Sequence, residues 1–235
     1  RLIVNEDVGQ LLFFPSMVNY KEDLELATTI RQAHPSVKLG ALGVFAGTRP
    51  ELFENYFHWV ALGETEALLV KYSIDECNGQ MGPEPFLEDL DQLPFPDWSV
   101  FSKIEFSYRP MLPRKPFITM QGSRGCPMSC GYYCPYPMAQ GKKYRMRSVK
   151  SMLAEIIHLK KTYGAKSILF RDPYFSLNKK RTVSFAEELI NKEIKIQWAC
   201  ETVLDSLDED LLDLLYASGL RSINIGIESS NPEIL

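Results

Sequence analysis

The chain has 235 residues, of which 45% are hydrophobic and 24% charged, with a formal net charge of −4. This is the balance of a folded globular chain long enough for one or two cores. The acid excess argues against a generic nucleic-acid binder, and no apolar run approaches the roughly 20 residues that span a bilayer.

In chain order, the apolar run Leu11-Leu12-Phe13-Phe14, ended by Pro15, predicts a buried strand over 9–16. A helix is expected over 21–33, with Leu24, Ala27 and Ile30 on one stripe and His34-Pro35 as its stop. A second strand at 37–42, a short helix near 51–56, a third strand at 59–62 and a helix at 64–72 follow. Strands alternating with helices imply a parallel α/β sheet. Residues 76–116 read as a connector, holding seven of the fifteen prolines, with Trp98 and Phe101 as its anchors. A second α/β unit is expected from 117 onward. Its strands are placed at 117–121, 167–170, 195–200 and 222–226, and its helices at 149–163, 180–192 and 208–218. Ser148 is placed to cap the first of these helices and Gly164 to end it. Ser206 and Glu209 have capping-box spacing before the third, and Gly219 closes it.

The chemistry-bearing stretch runs Gly122-Ser123-Arg124-Gly125-Cys126-Pro127-Met128-Ser129-Cys130-Gly131-Tyr132-Tyr133-Cys134-Pro135-Tyr136-Pro137. Three of the chain's five cysteines fall within nine residues, on a segment whose Gly and Pro residues exclude a regular helix. The other two, Cys77 and Cys200, are isolated. This is no disulfide framework; it suits a reducing cytosol, so a cytoplasmic location is expected. Three thiolates on one loop point to a soft metal centre with one position left open. Two plainer readings stand beside it: cysteines buried as small hydrophobes, or a zinc site whose fourth ligand lies elsewhere. The other polar candidates also fall at the C-terminal ends of predicted strands, where parallel α/β barrels carry their active groups. They are Arg171-Asp172, Glu201-Thr202 and Glu228-Ser229. The basic run 141–147 after the cysteines reads either as a solvated face or as positive potential beside a site. His34, His58 and His158 have no metal-ligand spacing.

Gly125-Cys126-Pro127 through Pro137, Arg171-Asp172-Pro173, Gly226-Ile227-Glu228-Ser229 and the linker around Leu93-Pro94-Phe95-Pro96-Asp97-Trp98 together resemble the radical S-adenosylmethionine (SAM) enzymes. More narrowly, the likeness is to the branch with an N-terminal cobalamin-binding domain. The resemblance implies a partial Rossmann-like, cobalamin-binding-type domain over 1–75, a linker over 76–116 and the first part of a radical SAM (β/α) TIM-like barrel over 117–235. On this reading both domains are cut short by the ends of the chain. It implies that Cys126, Cys130 and Cys134 hold a [4Fe–4S] cluster, and that SAM occupies the cluster's fourth iron. Cofactor contacts are then expected from Tyr133, Tyr136, Asp172, Glu201, Gly226, Glu228 and Ser229; no residue is assigned as catalytic. The second gap of the cysteine motif, Gly131-Tyr132-Tyr133, is one residue longer than the family's usual spacing. Cobalamin is the third cofactor of that branch. The branch's Asp-x-His-x-x-Gly motif is not found here, and its Gly-Gly turn aligns with Leu42-Gly43.

The implied activity is reductive cleavage of SAM to a 5′-deoxyadenosyl radical, in a methyltransferase or in an enzyme of cyclisation or rearrangement. The implied partners are a small-molecule substrate and a one-electron reductant such as flavodoxin or ferredoxin, with no membrane span and no nucleic acid. Two rival readings remain, a zinc-stabilised binding module and a degenerate, non-catalytic relative on the same scaffold.

Overall fold

The structure, a computed structural model, describes residues 8–99, 112–128, 130, 134–227, 229–231 and 233. The chain divides into two compact units. The first comprises residues 1–88 with 127–142, the second residues 89–126 with 143–235.

The first unit is a parallel sheet with its strands in chain order: β1 (Gln10–Phe13), β2 (Lys38–Ala41), β3 (Trp59–Ala61) and β4 (Gly79–Met81). Such one-way winding is that of one half of a doubly wound sheet. Between the strands run α1 (Tyr20–Ala33), α2 (Val44–Thr48) and α3 (Thr65–Lys71). One face of the sheet buries Leu39, Ala41 and Val60 with Ala27 of α1, and Phe53 and Phe57 are buried with them. The rings of Tyr20, Phe45, Phe53 and Phe57 meet edge-on or tilted. A second cluster gathers Leu42, Trp59, Ala61, Leu68 and Cys77. Gly40 in β2 has no room for a side chain, since a Cβ there would stand 2.4 Å from the Trp59 ring.

Two local expectations are corrected in this unit. The helix expected near 51–56 lies earlier, as α2, followed by a single 3₁₀ turn at Pro50–Leu52. Gly43, at φ 95°, turns the chain directly after β2, and Phe45 and Ala46 are then drawn in against Tyr20 and Phe53. Tertiary packing outweighs the weak helix propensity of Val44-Phe45. The other correction is β4, which lies inside the stretch read as a connector. Its residues Gly-Gln-Met carry no apolar alternation, and it is a strand because its backbone pairs with β3.

In the second unit β5 (Phe117–Met120), β8 (Ser167–Phe170), β9 (Gln197–Thr202) and β10 (Leu220–Ile225) form a parallel sheet in the order β10-β9-β8-β5. A two-stranded antiparallel ladder, β6 (Ser123–Arg124) with β7 (Arg145–Met146), stands between β5 and the first helix. The helices are α5 (Val149–Tyr163), α6 (Lys179–Asn191) and α7 (Glu209–Ala217); α4 (Tyr136–Gln140) belongs to the first unit. Each strand after β5 is added on the same side, the winding of a (β/α) barrel segment. The core joins Met152, Ile156 and Leu159 of α5 to Ile168 and Phe170 of β8, Phe185 and Leu189 of α6, and Trp198 of β9. Phe170, Phe175, Phe185 and Trp198 pack as one aromatic block, with ring centroids 4.8–5.9 Å apart.

Capping follows the sequence closely at α5. The Ser148 hydroxyl accepts from Ser151 N, and Gly164 ends the helix in the left-handed conformation. At α7 the cap is Asp208, whose carboxylate accepts from Leu211 N at 2.9 Å. The expected Ser206–Glu209 capping box does not form, because the Ser206 hydroxyl turns instead to Ser176 and to Val203 O. The proline-rich stretch is tied to α5 within this unit. Asp91 accepts from Ser148 N, Tyr163 donates to Asp97, and Phe95 lies against His158. Trp98 packs on the core as expected, whereas Phe101 lies outside the described residues. Among the described residues, no helix is long and apolar enough to cross a membrane.

Candidate active site at the strand ends

The cysteine loop leaves β5 through Gln121 and Gly122, crosses β6, and turns at Gly125, whose φ of 83° suits glycine. Cys126 follows, buried; Cys130 and Cys134 are half-buried, and none of the three is in a disulfide. The division between the units falls within this loop, with Cys126 counted in the second and Cys130 and Cys134 in the first. The described residues contain no group of three Cys, His, Asp or Glu side chains disposed to hold one ion. As a donor set the loop fits an iron–sulfur cluster: three cysteines, none in a disulfide, on a Gly/Pro segment leaving the C-terminal end of a parallel strand.

The launch point of the loop is held with unusual completeness. Gly122 N donates to Asp172 Oδ1 at 2.7 Å, and the Ser123 hydroxyl donates to Asp172 Oδ2 at 2.5 Å. Gly122 O accepts from Arg181 Nη1 at 2.6 Å and from Arg147 N at 2.8 Å. Gln121 O accepts from Arg147 Nη1 at 3.1 Å, and the same guanidinium pairs with Glu155 of α5. Asp172 stands just after β8 with no exposed surface, and Arg181 Nη2 lies 3.7 Å from its Oδ2. Burial pushes the Asp172 carboxyl up, while Arg181, Ser123 and Gly122 hold it down; burial is the largest of these. The Arg181 guanidinium also lies 5.8 Å from the centroid of the Tyr144 ring.

The expected site residues that the structure describes have definite places. Asp172 faces the interior, and both of its oxygens are engaged by protein groups. Glu201 lies inside β9, which runs two residues further than the expected strand, and it pairs with Arg171 from the end of β8. Thr202 is buried and bonded to Ser176. Tyr136 opens α4 and is half-buried; Gly226 follows directly on β10, and Ser229 is half-buried. Tyr133 and Glu228 lie outside the described residues, as does Gly131. In the basic run, Lys142 and Lys143 are exposed, but Arg145 and Arg147 are buried, so half of its four cations are structural. Cys200, inside β9 and buried, has its thiol pushed up by burial, with the charges of Asp172 and Glu201 adding to the effect.

Sequence reasoning missed Ser123, Arg147, Glu155 and Arg181. A signal for Glu155 was present: it falls on the same stripe as Met152, Ile156 and Leu159, a carboxylate on an otherwise apolar face. Arg181 was hidden in the run Lys179-Lys180-Arg181, where charge alone reads as solvated surface.

The chain is 29% identical over 153 residues to an uncharacterized methyltransferase of Pyrococcus horikoshii, covering 65% of this chain and 32% of that protein. It is 32% identical over 149 residues to an anaerobic magnesium-protoporphyrin IX monomethyl ester cyclase of Rubrivivax gelatinosus, covering 63% and 26% respectively. The chain thus spans a third or less of the length of these relatives. Among solved structures, its fold is shared by the cobalamin-dependent S-adenosylmethionine radical enzyme OxsB, determined with aqua-cobalamin bound. There the TM-score is 0.75 at 18% identity, over 99% of this chain and 37% of that one. Residues 120–235, from the last residue of β5 through the cysteine loop to the end of the chain, match the family model of the Radical SAM superfamily. That segment, just under half of the chain, is the part that is similar to the radical SAM superfamily.

Proposed function

We propose that the chain is the cluster-bearing part of a radical SAM enzyme, a methyltransferase in the first instance. In this reading Cys126, Cys130 and Cys134 hold a [4Fe–4S] cluster, and SAM binds at the iron they leave open. The observation that carries it is the set of three cysteines, none in a disulfide, on one loop at the C-terminal end of β5, inside the segment matching the superfamily. When bound and reduced, such a cluster supplies one electron to SAM, which is cleaved to methionine and a 5′-deoxyadenosyl radical.

The chain's own share is ligation, orientation and exclusion of water. Gly226 leaves backbone free for close approach beside β10, and Ser229 offers a hydroxyl at the same strand end. Tyr133, Tyr136, Glu201 and Glu228 complete the proposed cofactor contacts; Asp172 supports the loop from behind. A cobalamin on the first unit is supported by the fold shared with OxsB, which was determined with aqua-cobalamin bound. The substrate is proposed to be a small molecule, and the reductant a flavodoxin- or ferredoxin-type donor.

Anaerobic reconstitution with iron and sulfide tests the reading. About four irons per chain are expected, with loss of the cluster on changing Cys126, Cys130 or Cys134 to Ala. Addition of SAM and dithionite should then release 5′-deoxyadenosine. Zinc as the only bound metal, with no SAM cleavage, would establish the binding-module reading instead.

A further inference from the structure

We propose that Asp172 and Arg181 are positioning residues: together they clamp the backbone of Gly122 and Ser123 and so fix where Cys126 stands. The role of Cys126 as a ligand rests on the proposed function above; the clamp itself rests on the hydrogen bonds.

The two side chains grip one peptide segment from opposite sides of its polarity. Asp172 accepts from Gly122 N and from the Ser123 hydroxyl, while Arg181 donates to Gly122 O. Arg181 is itself tied to Phe175 O at 2.9 Å, so the clamp is anchored to the turn after β8 and to α6. Gly122 is crowded by the same groups. A Cβ at this position would meet Met152 Cε at 3.0 Å and Asp172 Oδ2 at 3.1 Å. Glycine permits the approach that makes the short bonds possible.

Packing alone does not call for such groups. A buried carboxylate–guanidinium pair commonly gains no stability over an apolar replacement, because desolvation offsets the attraction. What the pair adds is direction. Only three residues separate Gly122 from Cys126; two of them form β6, pinned to β7 through Ser123↔Met146 and Arg124↔Arg145, and the third is the turn at Gly125. A residue spans at most about 3.6 Å of chain, so a displacement at Gly122 has little slack in which to die out before Cys126. Both arms of the loop are held at its neck, since Arg147, which follows β7, donates its N–H to Gly122 O.

The test measures Cys126 directly and needs no bound cluster. In the cluster-free full chain, the alkylation rate of each cysteine by iodoacetamide is followed by peptide mass spectrometry, with buried Cys200 as the internal report on the fold. Asp172→Asn is expected to raise the rate at Cys126 by about tenfold or more while Cys200 stays protected, the pattern of a local opening. Arg181→Met should do the same, and Arg181→Lys should lie between it and the unaltered chain. An unchanged Cys126 rate in these variants would overturn the proposal. So would Cys126 and Cys200 becoming reactive together in all three, which would make the pair merely part of the core. The reconstituted chains add a second readout: the reduced Asp172→Asn protein should show shifted EPR g-values in its cluster. If the unaltered chain takes up no iron, the cluster reading fails while the alkylation result still decides the clamp.

Discussion

His58 shows how a single residue joins two elements and carries a pH signature. Its Nδ1 accepts from Leu39 N at 2.8 Å, so the ring is neutral in the fold and ties the turn before β3 to β2. Burial lowers its affinity for a proton, and the charges of Arg31 and Lys38 lower it further. A histidine whose folded pKa is depressed contributes stability that is present above its unfolded value of about 6.5 and is lost as pH falls through the folded value. Stability should therefore decline below about pH 6.5. Asn at position 58 keeps an acceptor where Nδ1 stands, so His58→Asn should match the unaltered chain at pH 8 and lose less of its melting temperature between pH 7 and pH 5. Identical acid limbs for the two proteins would count against this role. The residue scale is also where the sequence was least legible. The cysteine trio stands out as a candidate by its spacing, but the Asp172–Arg181 pair joins positions nine apart in the chain, and its common target is a backbone segment about fifty residues upstream. No periodicity encodes such a meeting.

At the scale of elements the sequence was far more legible, because period and punctuation are local. α5 was readable from its apolar stripe, from Ser148 before it and from Gly164 after it, and β8 from the short run Ser-Ile-Leu-Phe. What failed was local structure imposed from a distance: β4, which owes its pairing to β3, and α2, which owes its place to the aromatic cluster. Gly219 belongs to this scale as well. It closes α7 as the sequence suggests, just past Ser218 with φ 111°, and a Cβ there would stand 2.2 Å from Ile196 O. Its carbonyl meanwhile accepts from Trp198 N at 3.0 Å, so the chain passes close to the entry of β9 before starting β10. Gly219→Ala is expected to cost at least about 2 kcal/mol, from backbone strain together with the forced separation of the two strands. Urea denaturation checks this; a loss below about 0.5 kcal/mol, the ordinary range for a surface substitution, would show that the strands separate freely.

For the molecule as a whole, composition announced a globular chain, and its α/β class and the one-way order of both parallel sheets follow from strands alternating with helices. The proposed function was legible because the candidate residues are concentrated at one class of position, the C-terminal ends of the strands. That arrangement carries a thermodynamic consequence for the full chain. A ligand set that must be gathered from one long loop couples binding to folding, so whatever binds the folded chain alone raises its stability. The cluster-loaded protein should thus melt above the cluster-free one. SAM added at about a hundred times its dissociation constant should contribute a further ~2.7 kcal/mol, which for a chain of this size is a rise of roughly 5–10 °C. The same additions should leave the melting temperature of the Cys126→Ala, Cys130→Ala, Cys134→Ala triple variant where it began. Calorimetry under anaerobic conditions separates the outcomes. A SAM-dependent rise that survives in the triple variant would place SAM on the scaffold independently of the thiols, and the open iron would lose its role as the anchor of the sulfonium cofactor.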